Sequence, residues 1–289
     1  MRRDPAMKFW LMTPWTSASD MIVLAQQAES LGFEGIMGAD HGFVPQQMAA
    51  GYPYSDDGTP PIHGGLLYPD VWTTLAAIAA VTTTLKFSTG VYVLPLRNPI
   101  EVAKATANIA CLSDNRLVIG AGVGWMKEEF EVYGVDFTRR GQIMNECIEV
   151  MQALWQGGYV EYHGQHFDFD PLQINPVPSK PIPLFLGGMS SPALRRAGRF
   201  AQGWLGNGNT VKEMASILRQ LKAARVENQR DDQAFEIILA LKDNPSVEQI
   251  KQLQAEGATG MVLGFPDSHA PLADKQKMLT LLGQYMQQF

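Results

Sequence analysis

The sequence has few cysteines and no excess of basic residues, and both shortages exclude classes of function. Cys111 and Cys147 are the two cysteines among 289 residues, too few for a disulfide scaffold or a cysteine-based metal site. We expect both to be small core residues of helices. The 23 Lys and Arg against 29 Asp and Glu leave a net charge of −6, without a basic run that would neutralise nucleic-acid phosphates. The composition therefore predicts no nucleic-acid partner.

Long apolar runs and esterase motifs are also absent from the sequence. The apolar run near the start of the chain is too brief and too interrupted for a signal peptide, and none reaches the ~20 residues that span a membrane. No Gly-x-Ser-x-Gly sequence occurs, so acyl-transfer chemistry has no support. The sequence predicts a soluble, cytoplasmic protein without a membrane partner, whose hydrophobic fraction of 46% builds a large core.

Two periodicities alternate along the chain. Short apolar runs such as MKFWLMT predict strands, and the segments between them, such as SDMIVLAQQAESLGF, have apolar residues at helical spacing. The pattern gives eight strand–helix units, with loop insertions at 42–69 and 156–182, the second of which contains a hairpin in YVEYHGQHFDFD. Strands separated by helices pair in parallel with right-handed crossovers, so eight units favour a (β/α)8 TIM barrel over a doubly wound sheet. We expect a single α/β domain over residues 1–289.

Three glycines alternate in VIGAGVGW, at the end of the predicted fourth strand: Gly120, Gly122 and Gly124. A dinucleotide fingerprint needs G-x-G-x-x-G in the first βαβ unit, so the spacing and the position both argue against a Rossmann site. Two interpretations remain open. The glycines make room for tight packing or a bulge, or they let a flat ligand approach the mouth of the barrel.

Polar and glycine-rich segments follow the predicted strands, and the carboxyl ends of the strands form the active-site face of a TIM barrel. In chain order, the candidate residues on this face are Asp40, His41, Gly90, Val91, Tyr92, Gly122, Gly124, Trp125, Glu128, Gly187, Gly188, Met189, Ser190, Gly206, Asn207 and Gly208. The GGMSS segment precedes a helix, where backbone amides hold phosphates; a plain turn with a helix cap is the alternative.

His41 is the candidate for proton transfer. Imidazole titrates near neutral pH and can deliver or accept a proton while a hydride moves. A partly buried histidine that only hydrogen-bonds its surroundings is the alternative. Asp40 points to the opposite side of a continuing strand, so it is not automatically the orienting partner of His41.

Other polar residues are weaker candidates. The imidazoles and carboxylates of HGQHFDFD alternate with aromatic residues, as one solvated face does, so we predict no metal site. The first insertion contains a group that either contacts substrate or forms mobile surface: Tyr52, Tyr54, Asp56, Asp57 and His63. His269 has no identifiable partner, and Arg140 is expected to pair with Glu128 or Glu129.

Three segments of the chain show a resemblance to a known family. They are GADH, the long segment STGVYVLPLRNPIEVAKATANIACLSDNRLVIGAGVGWMKEEFEVYGVDFTRRGQ, and PLFLGGMSSPALRRAGRFAQGWLGNG after it. They resemble the luciferase-like monooxygenase superfamily, in particular the branch of probable coenzyme F-420-dependent oxidoreductases. The resemblance covers nearly the whole chain. It implies a TIM-barrel enzyme that binds reduced FMN or F-420 at its C-terminal mouth, and a homodimer.

The resemblance also implies roles for individual residues. Gly90–Val91 matches the place of a non-proline cis peptide against the flavin ring, the GAGVGW turn passes beside ring or substrate, and Gly187 to Ser190 match the phosphate loop. Trp125 replaces a glutamate that sugar-phosphate-oxidising relatives use, which places that substrate class in doubt.

The expected reaction is hydride transfer with F-420, or oxygen insertion with FMN, on a small organic substrate. Two other functions remain open. One is a non-catalytic flavin-binding or ligand-binding barrel. The other is a phosphate-binding isomerase or aldolase, for which Lys242 is the candidate lysine.

Overall fold

Strands and helices alternate along the residues that this computed structural model describes, which are 6–49, 51–55 and 57–289. Asp56, one of the candidates in the first insertion, lies outside them. The strands are β1 (Lys8–Met12), β2 (Gly35–Gly38), β3 (Lys86–Thr89), β4 (Tyr92–Val93), β5 (Leu117–Gly122), β6 (Val160–His163), β7 (Asp168–Leu172), β8 (Leu184–Gly187), β9 (Gly203–Leu205), β10 (Glu236–Leu239) and β11 (Gly260–Leu263). The helices are α1 (Ala18–Ser30), α2 (Val71–Val81), α3 (Pro99–Leu112), α4 (Lys127–Val132), α5 (Arg140–Trp155), α6 (Ser191–Phe200), α7 (Val211–Glu227), α8 (Val247–Ala255) and α9 (Leu272–Met286).

The parallel strands close into a barrel. Their order is β3-β2-β1-β11-β10-β9-β8-β5, and β3 pairs with β5 to complete the circle, while the short β4 extends the edge of β5. A helix follows each barrel strand, so the predicted (β/α)8 TIM barrel is confirmed. The predicted hairpin is the antiparallel pair β6–β7.

The barrel is filled by alternate side chains of its strands. Trp10, Met37, Val118, Phe185, Leu205 and Ile238 form this inner cluster. The rings of Trp10 and Phe185 meet edge to face at 6.4 Å. A larger cluster lies between the strands and the surrounding helices. Two apolar layers therefore hold the strands in register, because shifting a strand by one residue would exchange its two faces.

Helix boundaries follow local side-chain chemistry. Asn98 caps α3 by accepting from the Ile100 amide, and Pro99 occupies the first turn. One expectation about the helices is wrong. Cys147 is buried in α5, but Cys111 is exposed on α3, where its thiol donates to the Val177 carbonyl.

The third barrel strand is interrupted, although LKFSTGVYVL predicts a continuous one. β3 ends at Thr89 and β4 begins at Tyr92, and the Gly90–Val91 peptide between them is cis. The Gly90 amide donates to the Gly38 carbonyl of the neighbouring strand at 2.8 Å. The interruption turns the Val91 side chain into the inner cluster of the barrel.

The two insertions differ in structure. The second packs on α5, where Glu146 accepts from the amides of Gln165 and His166 at 2.9 and 2.8 Å. The first has neither helix nor strand in its described parts, 42–49, 51–55 and 57–69, and we call it the lid. Among the described residues, no helix combines the length and the apolar character needed to cross a membrane.

Candidate functional site

Val91 occupies the space that the predicted glycines leave at the carboxyl end of the barrel. A Cβ at Gly122 would lie 2.7 Å from Val91 Cγ2, and one at Gly187 would lie 3.1 Å from Val91 Cγ1. At Gly124, where φ is +79°, a Cβ would lie 2.6 Å from Val93 Cγ1. The space at each of these glycines is thus taken by a valine of the same chain. The packing interpretation accounts for Gly122, which makes room for Val91, and for Gly124, which makes room for Val93.

His41 lies at the end of the second barrel strand and is paired with a buried glutamate. Its Nδ1 is 3.1 Å from Oε2 of Glu129, and the two side chains are 11% and 1% exposed. Oε1 of Glu129 accepts from the Gly42 amide at 2.8 Å. A carboxylate at Nδ1 holds the proton of the neutral ring on that nitrogen and leaves Nε2 as the acceptor. His41 is therefore oriented for proton exchange through Nε2.

Asp40 has different partners from its neighbour. Its carboxylate accepts from the Val93 amide at 3.0 Å and from the Arg97 guanidinium at 3.2 Å. Burial raises the pKa of Asp40, and the charge of Arg97 and the Val93 amide oppose that shift. Asp40 ties the end of β2 to β4, while Glu129 orients His41.

Sequence reasoning did not assign Glu129 to His41. The expected pairing of Arg140 with Glu128 or Glu129 is wrong, because Arg140 donates to the Phe137 carbonyl at 2.8 Å and stacks on its ring at 3.8 Å. The short helix α4 contains three glutamates in six residues, and a pattern that short does not show which of them is buried.

The predicted phosphate loop runs from β8 into α6. Gly188, with φ of +105°, directs its carbonyl to the Trp204 indole N–H at 2.9 Å. Ser190 is the N-cap residue of α6, but its hydroxyl makes no capping hydrogen bond. The first-turn amides of α6 therefore lack the usual side-chain cap, which makes this terminus suited to an anion.

Arg140 is the first residue of α5, and Arg196 of the neighbouring α6 contacts the same turn. Arg196 of α6 donates to the Gly141 carbonyl at 3.0 Å and to the Asn145 side chain at 2.7 Å. Burial lowers the pKa of Arg140 and of Arg196, and the charge of Arg140 lowers that of Arg196 further. Within the described residues neither forms an ion pair, and Arg140 Nε is buried without a partner. Both charges stand at the positive end of a helix dipole, where an anion would relieve their repulsion.

The lid covers the remaining predicted residues. Glu128 accepts from the lid amide of Ala49 at 2.6 Å, and the Trp125 ring lies 5.0 Å from that of Tyr52. Burial raises the pKa of Tyr52 and of Tyr54, and the Asn207 side chain opposes both shifts. A Cβ at Gly208 would lie 3.9 Å from Tyr54, and one at Gly206 would lie 2.9 Å from Asn209 Oδ1. The Met189 sulfur accepts from the Asn209 side chain. Trp125 also contacts the His41 ring, with ring centroids 5.9 Å apart, so these segments adjoin His41 at the mouth.

Of the weaker candidates, those of the hairpin lie apart from this site, whereas Tyr52, Tyr54 and His269 lie at the mouth. His163 pairs with Asp168 at 2.6 Å on the exposed hairpin, and no three His, Cys, Asp or Glu residues of the described chain form a metal-binding group. The Lys242 side chain is exposed. His269 does have a partner, since its ring stacks on Trp15 at 5.5 Å, and it belongs to the rim of the mouth.

Comparisons with known proteins identify the family of this chain. A sequence model of the luciferase-like monooxygenase family matches residues 7–243. An uncharacterised protein of Mycobacterium tuberculosis is 33% identical over 285 residues, 96% of this chain and 98% of that protein. The F420-dependent hydroxymycolic acid dehydrogenase of the same organism is 27% identical over 215 residues, 73% of this chain and 55% of that protein.

A solved structure has the same fold as this chain. An F420-dependent secondary alcohol dehydrogenase in complex with an F420-acetone adduct matches with a TM-score of 0.76 and 16% identity, over 94% of this chain and 98% of that chain. At this identity the likeness shows the barrel alone. The family match spans most of the sequence, and the relative of full length exceeds 30% identity. The chain belongs to the luciferase-like monooxygenase family.

Proposed function

We propose that the protein is an oxidoreductase that binds coenzyme F-420 at the C-terminal mouth of its barrel and transfers a hydride to or from a small organic substrate. The observation that carries the proposal is the buried His41–Glu129 pair at a strand end. Hydride transfer at an alcohol or carbonyl carbon needs a proton at the neighbouring oxygen, and this pair is built to exchange one. Two of the similar proteins are F420-dependent dehydrogenases by name.

The residues at the mouth fit a flavin-type cofactor at both of its ends. Val91, which is partly exposed at the carboxyl end of the barrel, offers an apolar surface to a flat ring. The open amides of α6, together with Arg140 and Arg196, suit a phosphate. When bound, F-420 would supply or accept the hydride.

The chain's own residues would handle the proton and hold the geometry. Nε2 of His41 accepts the hydroxyl proton when an alcohol is oxidised and returns it to the carbonyl oxygen in the reverse direction. Glu129 stabilises the imidazolium that forms, and the Gly42 amide fixes the carboxylate for that purpose. Asp40, through its hydrogen bonds to Val93 and Arg97, holds the end of β2 next to β4. The lid excludes water.

Oxygen insertion with FMN is the second candidate, since the family is named for monooxygenases. Both cofactors would use the same surface and the same phosphate end. Fluorescence titrations with F-420 and FMN, side by side, separate the candidates. We expect F-420 quenching with a dissociation constant of about 1–10 µM and weaker FMN binding.

A second measurement follows the reduced cofactor. Under the proposal, reduced F-420 on the protein is oxidised by a carbonyl substrate and reacts no faster with oxygen than free cofactor does. No response to either cofactor would overturn the proposal. Binding without turnover on any alcohol or carbonyl compound would favour the non-catalytic barrel.

A further inference from the structure

Six aromatic rings follow one another along the rim of the mouth, and we call them the aromatic arc: His269, Trp15, Tyr68, His41, Trp125 and Tyr52. Trp15 stacks on His269 at 5.5 Å, and its indole N–H donates to the Tyr68 hydroxyl at 2.7 Å. Tyr68 meets the His41 ring at 5.2 Å. Trp125 meets His41 at 5.9 Å and Tyr52 at 5.0 Å. The candidate proton-transfer residue is thus one ring of a continuous set.

The arc is assembled from distant parts of the chain. Trp15 follows β1, Trp125 follows β5 and His269 follows β11, while Tyr52 and Tyr68 belong to the lid. All these segments lie at the carboxyl ends of barrel strands. The contacts of His41 with Tyr68 and Trp125 are edge to face, with interplanar angles of 86° and 77°. Edge contacts leave ring faces available to a flat ligand.

The arc has no cation to offer a charged ligand. Among the described residues, none of its ring contacts or side-chain hydrogen bonds involves Lys or Arg. Arg97, a neighbouring cation, pairs with Asp40 through Nη2 and lies against the rings of Tyr92 and Tyr133, and its Nη1 is buried without a hydrogen-bond partner. Glu128 is engaged by the lid. Burial raises the pKa of Tyr68 to about 12, so this hydroxyl stays neutral.

From the arc we propose that the substrate is an uncharged alcohol or carbonyl compound with a flat apolar body, and that a carboxylate or phosphate on it is rejected. The inference rests on the proposed function and names its substrate class. On oxidation the carbon–hydrogen bond breaks, its hydride reduces F-420, and the hydroxyl proton passes to His41 as the carbonyl forms. Desolvating an anion beside aromatic rings that have no lysine or arginine partner is what disfavours charged substrates.

The test compares three small alcohols on the cofactor-loaded protein. 1-Phenylethanol has the flat body, mandelate replaces its methyl group by a carboxylate, and 2-propanol lacks the ring. Binding is measured by isothermal titration calorimetry, which needs no turnover. We expect 1-phenylethanol to bind at least about tenfold tighter than either of the others. Equal binding of mandelate or of 2-propanol would overturn the inference.

Variants of Trp125 show whether the arc is responsible. Trp125→Ala is expected to weaken 1-phenylethanol binding about tenfold, while Trp125→Phe, the matched control, retains most of it. Trp125→Arg is expected to shift the preference toward mandelate; an unchanged preference would overturn the role of the arc. Cofactor fluorescence, recorded before any alcohol is added, reports separately whether the proposed function has failed. The same titrations on cofactor-free protein then test the arc by itself.

Discussion

Charged residues differ in burial and in pairing between the two ends of the barrel. At the carboxyl end, Glu129 and Asp40 are buried carboxylates, 1% and 8% exposed, each committed to a single charged or titratable partner. At the amino end, Lys8–Glu236 and Lys86–Glu34 are partly exposed ion pairs around a cavity of about 260 Å³. Exposed pairs stabilise little and are easily replaced, whereas buried groups cannot change without leaving a partner unsatisfied. The buried and paired carboxylates of this comparison are therefore at the carboxyl end.

The amino end also contains a hydrogen-bonded carboxylate, and its role is structural. Glu29 at the end of α1 accepts from the amides of Thr83, Thr84 and Leu85 at 2.8, 2.6 and 2.9 Å. Burial would raise the pKa of Glu29, but these hydrogen bonds outweigh it and lower the pKa to about 2. This carboxylate fixes the chain entering β3, far from the proposed reaction.

Removing the imidazole at the carboxyl end is expected to have the largest effect on activity. His41→Ala should slow single-turnover hydride transfer about 10²–10⁴-fold, because no other group replaces its Nε2. Lys86→Met at the amino end is the matched control, with an unchanged rate and less than about 1 kcal/mol lost in unfolding free energy. Equal rates for His41→Ala and the native protein would show that His41 at the carboxyl end matters no more for hydride transfer than Lys86 at the amino end.

Glu129→Gln tests orientation without removing the ring. The amide can still accept from the Gly42 N–H, but its NH₂ group faces Nδ1 and favours the tautomer with the proton on Nε2. We expect a rate loss of about 10²-fold. Nitrogen NMR of the His41 ring would show the tautomer change. A lower melting temperature with an unchanged rate and tautomer would assign Glu129 a structural role only.

Arg140→Met probes the phosphate end of the mouth. It should weaken FMN binding about tenfold and leave riboflavin, which lacks the phosphate, unaffected. Stability should not fall, because one of two neighbouring like charges is removed. A parallel loss of affinity for both ligands would place Arg140 outside the anion site.

Glu29→Gln, at the amino end, is expected to have the smallest effect. Urea unfolding at pH 7 should show a loss of about 1–2 kcal/mol, with cofactor binding unchanged. Since the folded pKa of about 2 lies below the ordinary 4.5, the native stabilisation is complete above about pH 4.5 and is lost as the pH falls toward 2. Between pH 5 and pH 3 the free energy of unfolding should decrease less in the variant than in the native protein. An identical decrease in the two proteins over this pH range would contradict this prediction.

Some of the molecule could be predicted from sequence because it depends on local pattern. The alternation of strand and helix periods gave the barrel, and the barrel placed His41 and GGMSS at one end. The partners of those residues depend on contacts across the chain. His41 and Glu129 are 88 positions apart, and Trp15 meets His269 only because β1 and β11 are neighbours. No local pattern carries such information, so Glu129, Arg196 and the partner of His269 were missed.

The position of Val91 has a consequence for how this chain can vary. Its two γ-methyl groups fill the space of the missing side chains at Gly122 and Gly187, which come from separate strands. An alanine at residue 122 alone would collide with a methyl group 2.7 Å away, but a smaller residue at 91 would remove the collision. Substitutions at these sites are therefore expected to be strongly non-additive. In a collection of related sequences they should change together or not at all.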